Sequence, residues 1–371
     1  HTTSLIMKLK IILLFVTILP SLCFGQQLTL VTTLQDSIEE TSGLINLDGR
    51  LITHNDSGGH PILYELDSVS GNVTRSVTIK NATNTDWEDI CHDSSYIYIG
   101  DFGNNSGSRT DLKIYRLLIS DYLMTPNDTV TVDIINFSYL DQTDFNPRLF
   151  STNFDAESII SYNDSLFIFT KNWGNNWTNI YVLPKTPGTY QIEKIDSIDV
   201  QGLITGGIYD QIANTILLTG YTFTDPFIAE ISGFTSNYFS NGTINRYLLN
   251  TPGGSSIQIE GITSFEANQY YLTAEINASG TPALYRLNQS PLNINIIDPK
   301  AARIYPNPTS DYIQLRGIYF SIVEIYDALG VLRKTSDIQS IWISDLTKGT
   351  YFLIAKNGRG REIFSKKIII Q

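Results

Sequence analysis

The sequence predicts an all-β protein: a β-propeller of five repeats, with a sixth left open, followed by a small C-terminal β-sandwich. Three observations predict it. The 371 residues include 21 Tyr, 17 Phe and 26 Gly beside only 2 Met, a composition of strands and turns. A strand pattern recurs five times between Gln26 and Asn288. A proline-bounded segment of opposite charge then follows. The low charged fraction, 17%, excludes a coiled coil or helical array, and a net charge of −12 argues against binding nucleic acid. Two cysteines are too few for a disulfide scaffold.

In chain order, residues 1–25 read as a signal-peptide region starting at Met7. Lys8 and Lys10 form its charged head and Ile11–Leu19 its apolar stretch, and small Gly25 precedes the expected cut. The apolar run is shorter than the roughly 20 residues of a membrane span, so no transmembrane segment is expected in the mature chain. Cleavage there removes Cys23 and leaves Cys91 without a disulfide partner.

The repeats occupy residues 26–288. Their starts read Glu40-Thr41-Ser42-Gly43-Leu44, Asp86-Trp87-Glu88-Asp89-Ile90, Asp155-Ala156-Glu157-Ser158-Ile159, Ile204-Thr205-Gly206-Gly207-Ile208 and Gln258-Ile259-Glu260-Gly261-Ile262. The second strands, such as Leu166-Phe167-Ile168-Phe169, are apolar at every position, as strands buried on both faces must be. Third strands such as Leu63-Tyr64-Glu65-Leu66 follow a polar Gly/Asn-rich loop. A single sheet cannot bury both faces, whereas radial stacking of sheets can. The alternating segment Leu28–Leu34 is expected to supply the outer strand of the last sheet, and Asp121–Asn153 is where a degenerate sixth repeat would lie.

Repeat geometry places equivalent residues on one face. Aligned on the apolar anchors, Ser42, Glu88, Glu157, Gly206 and Glu260 form one ring, so Glu88, Glu157 and Glu260 are candidate ligands of a calcium ion. The alternative is that each Glu accepts backbone N–H bonds within its own sheet. The loops after the second strands give a second ring, aligned as Asn55, Asp101, Asn172, Tyr221 and Glu275. With Asp56, Asn104 and Trp173, the first four of these are the candidate ligand-binding residues, although plain turn chemistry accounts for many Asn and Gly in such loops. His54, Lys171, Glu275 and Arg109 are candidate catalytic groups: His54 or Glu275 as base, Lys171 or Arg109 to steady an anion.

Asn55-Asp56-Ser57-Gly58-Gly59, Asp86-Trp87-Glu88-Asp89-Ile90 and Gly100-Asp101-Phe102-Gly103-Asn104-Asn105 resemble secreted propellers of the SdiA-regulated and phytase-like esterase kind. The resemblance implies a propeller, often with bound calcium, and loosely a hydrolase. Two functions are therefore expected. One is a propeller binding a small ligand or partner at its mouth. The alternative is a calcium-dependent hydrolase of phosphoesters, esters or lactones.

Residues 289–302 read as a linker, and residues 303–371 as a separate β-sandwich punctuated by Gly330, Gly349 and Asn357-Gly358. This last segment carries 10 Lys and Arg against 6 Asp and Glu, whereas residues 26–302 carry 13 against 31. Ile304-Tyr305-Pro306-Asn307-Pro308-Thr309, Val323-Glu324-Ile325-Tyr326-Asp327-Ala328-Leu329-Gly330, Leu346-Thr347-Lys348-Gly349-Thr350-Tyr351 and Lys366-Lys367-Ile368-Ile369-Ile370 resemble the type A C-terminal sorting domain of Bacteroidetes type IX (Por) secretion cargo. That implies the secretion machinery as partner, and a secreted or cell-surface product, with the domain cleaved on export. The propeller itself is expected to be a monomer.

Overall fold

The computed structural model describes residues 26–222, 225–251, 257–266, 268–275, 281–288, 303–316, 322–336, 340–356 and 362–371. The expected signal region and linker lie outside these residues. The chain divides into two compact units, one ending at Asn288 and one beginning at Gln289.

The first unit is nearly all β. Five innermost strands, Thr41–Leu47, Trp87–His92, Ala156–Tyr162, Leu203–Asp210 and Ile259–Glu266, each begin an antiparallel sheet. In the first sheet the order continues outward through Arg50–Asn55, Ile62–Leu66 and Val73–Ile79. The others repeat that order. The fifth sheet takes its outermost strand from Gln26–Thr33, which pairs antiparallel with Ala283–Asn288, as expected. Gln26 and Gln27 also pair in parallel with Leu249 and Asn250, joining the fourth and fifth sheets into one eight-stranded sheet.

The segment Asp121–Asn153 forms no sheet of its own among the described residues. Thr129–Val130 extends the first sheet, and Asp133–Tyr139 is the fourth strand of the second. The one described α-helix, Ile119–Met124, lies between Lys113–Leu118 and Thr129–Val130.

Packing closes the arrangement into a propeller-like cycle. A hydrophobic cluster joins the first and second sheets through Ile45, Ile52, Trp87 and Ile99. Three more join the second to the third, the third to the fourth, and the fourth to the fifth. A final one joins the fifth back to the first through Leu284, Leu44 and Leu51. Second-strand residues such as Phe167, Ile168 and Phe169 are buried on both faces because each sheet lies between two others.

Close approach of the inner strands explains their small residues. A Cβ on Gly206 would lie 2.1 Å from the Glu260 carbonyl oxygen, and one on Gly261 would lie 2.6 Å from that of Ser42. Hydroxyls tie the same strands together: Ser42 donates to the Glu88 carbonyl and Thr205 to that of Ile259.

In the second unit, one sheet contains Arg303–Tyr305, Tyr312–Arg316 and Ser340–Trp342. The other contains Leu332–Ser336, Ile322–Asp327, Gly349–Lys356 and Glu362–Ile370. Ile313, Leu315 and Ile341 from the first and Val323, Leu353 and Ile368 from the second share one core.

Candidate functional site

Every innermost strand carries a register shift near its start: between Thr41 and Leu44, Trp87 and Asp89, Ala156 and Ser158, Ile204 and Gly206, and Ile259 and Ile262. A β-bulge re-aims the side chain at the extra residue. The five bulges bring Ser42, Glu88, Glu157, Thr205 and Glu260 to one equivalent position. The fourth member is thus Thr205, rather than Gly206 as the anchor alignment has it, because Gly207 occupies the place of the apolar anchor there.

The second ring also shifts. In the ladders, Asn55 pairs with Thr41, Asp101 with Trp87, Thr170 with Ala156, Gly220 with Ile204 and Ala274 with Ile259. One residue further on come Asp56, Phe102, Lys171, Tyr221 and Glu275. A shift of one residue exchanges faces. Accordingly Asp56, Lys171 and Tyr221 line a central cavity of about 280 Å³, with Glu88, Glu157, Glu260, Gln258, Trp173, Phe150 and Asn105.

The remaining predicted residues lie elsewhere. Asp101 is buried and binds Arg109 (2.9 Å) and Lys113 (3.5 Å). Arg109 is further held by Asp111 and the Gly103 carbonyl. Asn172 is buried and accepts a bond from the Thr170 hydroxyl at 2.6 Å. Asn55 donates to the Ser37 carbonyl. Asn104 donates its backbone N–H to Asp155 and its side-chain amide to the Phe154 carbonyl. His54 is fully buried, with its ring edge against Trp87 at 5.5 Å, and burial lowers its pKa to about 4. Neither His54 nor Arg109 is among the residues lining the cavity.

The cavity floor is crowded with carboxylates. Oxygens of Asp56, Asp86 and Glu88 lie within 4.8 Å of one another, and so do those of Glu88, Asp155 and Glu157. Glu88 belongs to both trios. It is 5% exposed, and no described residue donates a hydrogen bond to its carboxylate. Burial, then the charges of Glu157, Asp56, Asp86 and Asp155, push its pKa well above the usual carboxylate range. Burial likewise raises Asp56 to about 7, with help from Asp86 and Glu275, and Asp86 to about 6, against the pull of Arg109. The Oδ1 atom of Asp56 is buried without a hydrogen-bond partner.

Among the described residues lining the cavity, the cation is Lys171. Lys171 Nζ lies 3.1 Å from Glu157 and sits over the rings of Trp173 (5.0 Å) and Tyr221 (5.4 Å). Burial opposes its charge, but Glu157, Tyr221 and Glu260 together raise its pKa well above the ordinary value. Glu260 accepts a bond from the Gln258 amide at 2.5 Å, and the charge of Glu275 raises its pKa further after burial. Asp86 and Asp155 went unassigned in the sequence reading. Their signal was the repeated Asp-x-Glu spacing, which puts Asp86 beside Glu88 and Asp155 beside Glu157.

Residues 303–371 match the secretion system C-terminal sorting domain. This tail marks the chain for export by type IX secretion. No curated protein sequence matches the chain. Among solved structures, a GH43_1 enzyme from Xanthomonas citri is similar at 12% identity and a TM-score of 0.41, over 70% of this chain and 89% of that one. A glucose dehydrogenase is similar at 10% and 0.40, over 70% and 99%. A quinonprotein alcohol dehydrogenase-like protein from Bacteroides thetaiotaomicron is similar at 10% and 0.31, over 89% and 67%. These are distant likenesses and carry nothing about activity. No described helix is long and apolar enough to cross a membrane.

Proposed function

We propose that this is a secreted or cell-surface five-bladed β-propeller, followed by a sorting β-sandwich, that binds a small ligand over a divalent cation at the propeller mouth. The five sheets are read as five blades because their hydrophobic clusters join them in a cycle. The observation that carries the cation is Glu88: a buried carboxylate, without a donor among the described residues, shared by two trios of carboxylates.

Such a group is costly to bury uncompensated. The donor set is all carboxylate oxygen, which suits a hard cation of flexible geometry, calcium above all. Glu88 with Asp56 and Asp86, or with Asp155 and Glu157, would hold it. Glu260, the third sequence-predicted ligand, lines the same cavity and is engaged by Gln258. When bound, the ion would supply positive charge and open coordination positions to ligand oxygens. Binding is favoured over hydrolysis because neither candidate base, His54 or Glu275, is among the residues lining the cavity, Arg109 is committed to Asp101 and Asp111, and Lys171 is paired with Glu157.

Thermal melting of the full chain in calcium and in chelator tests this reading. Saturating calcium is expected to raise the melting temperature by about 5 °C. Glu88→Gln is expected to melt higher than wild type in chelator and to lose most of the calcium shift. A wild-type chain that melts identically in both conditions overturns the cation.

A further inference from the structure

One residue at the cavity is placed there at a conformational cost and has no counterpart in the repeats. Phe150 belongs to the segment between Asp133–Tyr139 and Ala156–Tyr162. Its φ is +54°, in the left-handed region that bulky side chains avoid. Two backbone bonds hold this segment against the neighbouring loop: Phe150 N–H to the Asn105 carbonyl at 3.0 Å, and Arg148 N–H to the Ser106 carbonyl at 2.8 Å. Gln142, which is buried, adds a bond from its amide to the Gly107 carbonyl at 2.8 Å.

The strain is not offset by burial, since Phe150 remains 53% exposed. Its ring lies 4.7 Å from that of Trp173, tilted by 56°, and both rings line the cavity above the carboxylates. Trp173 is itself fixed, because its indole N–H donates to Asp155 at 2.7 Å. An exposed aromatic held in a strained conformation beside a fixed one suits a ligand surface better than a core.

The charges around the rings select the ligand. Without a metal ion an anion would face Asp56, Glu88 and Glu260 across the cavity, and with one it would still meet Glu260, which Gln258 rather than the ion engages. An organic cation would face the Lys171 ammonium, which already occupies the faces of Trp173 and Tyr221. A neutral ring rich in hydroxyl groups meets neither obstacle. Its hydroxyls can donate to the carboxylates and accept from the Asn105 amide, while its C–H face packs on Phe150. The cavity of about 280 Å³ admits one small ring.

We infer that the mouth binds a pyranose sugar unit, with Phe150 as its stacking platform. This rests on the mouth being a ligand site, as proposed above, and not on the cation. The test uses the full chain, in calcium and again in chelator. Calorimetry and tryptophan fluorescence would follow titration with methyl glycosides of glucose, galactose, mannose and xylose. Tetramethylammonium and inorganic phosphate serve as the competing chemistries.

At least one glycoside is expected to bind saturably, and the two ions to be ignored. Phe150→Ala is expected to weaken glycoside binding about tenfold, with Phe150→Tyr restoring it. Failure of every glycoside, or preference for either ion, overturns the inference. So does a Phe150→Ala chain that binds as wild type, whatever its melting temperature. If calcium still shifts melting while no glycoside binds, the sugar alone is refuted; if neither acts, both readings fall.

Discussion

The inner strands contribute to two cavities of nearly equal size and different charge. Near their starts lies the mouth, about 280 Å³, lined by Glu88, Glu157, Glu260 and Lys171. Further along lies a second cavity of about 270 Å³, lined by Ile45, Ile90, Ile160, Ile208 and Ile262 together with as many polar side chains, among them Asn46, His92, Ser161, Asp210 and Thr263. The second follows from simple alternation, with apolar side chains facing their neighbours. The first depends on five bulges that turn one residue of each strand out of the ladder. The acidic mouth is thus a local departure from the strand pattern repeated in register, and the isoleucines at the other end show what those strands do without it.

Substitutions at the two ends should therefore respond differently to calcium. Lys171→Met should have the largest effect. It leaves Glu157 buried without its ion pair, a loss on the order of 3–5 kcal/mol in chelator. Calcium or the second change Glu157→Gln should recover much of it, and denaturant midpoints would read both. A cost unchanged by calcium would mean that no cation takes over from the ammonium. Next comes Gly206→Ala, where the added methyl would meet the Glu260 backbone. It should cost about 3 kcal/mol, with or without calcium, because it parts two sheets. Ile90→Val, beside the second cavity, should cost about 1 kcal/mol, equally in both conditions. A calcium-dependent cost for Ile90→Val would break the division between the two ends.

Much of this fold was legible because apolar periodicity survives small errors of alignment. The second strands, Gln26–Thr33 as the closing strand and Val73–Ile79 as a fourth strand all follow from it. The site was less legible, because a side chain's direction changes with one residue of register. Asn55 and Asp101 were aligned with the mouth and lie one step short of it, whereas Tyr221 and Glu275 were one step nearer. A bulge is an offset between two strands, so neither strand's own sequence announces it. Phe150 was invisible for another reason: it comes from an insertion that no other repeat contains. Lys171 was singled out as an odd residue for a loop, but its partner Glu157 required the ring to be closed.

The smallest effect follows from the pH dependence of the mouth. In chelator, the raised values of Asp56 (about 7) and Asp86 (about 6) mean that the folded state holds protons the unfolded chain releases near 3.8. Stability from such groups is greatest at low pH and falls as pH rises through the folded values. Asp89, raised to about 7 by burial, acts in the same direction. His54 acts oppositely, since its lowered value removes stability as pH falls below about 6.5. Between pH 8 and pH 6.5 the carboxylates dominate, so the chelated protein should gain on the order of 1 kcal/mol as pH falls. Calcium bound as proposed would hold Asp56 and Asp86 ionised, so their part of the gain should vanish and leave that of Asp89. Melting curves at pH 8.0 and 6.5, with and without calcium, separate the two contributions. A gain of the same size in both conditions would place the ion away from Asp56 and Asp86, on the trio of Glu88, Asp155 and Glu157.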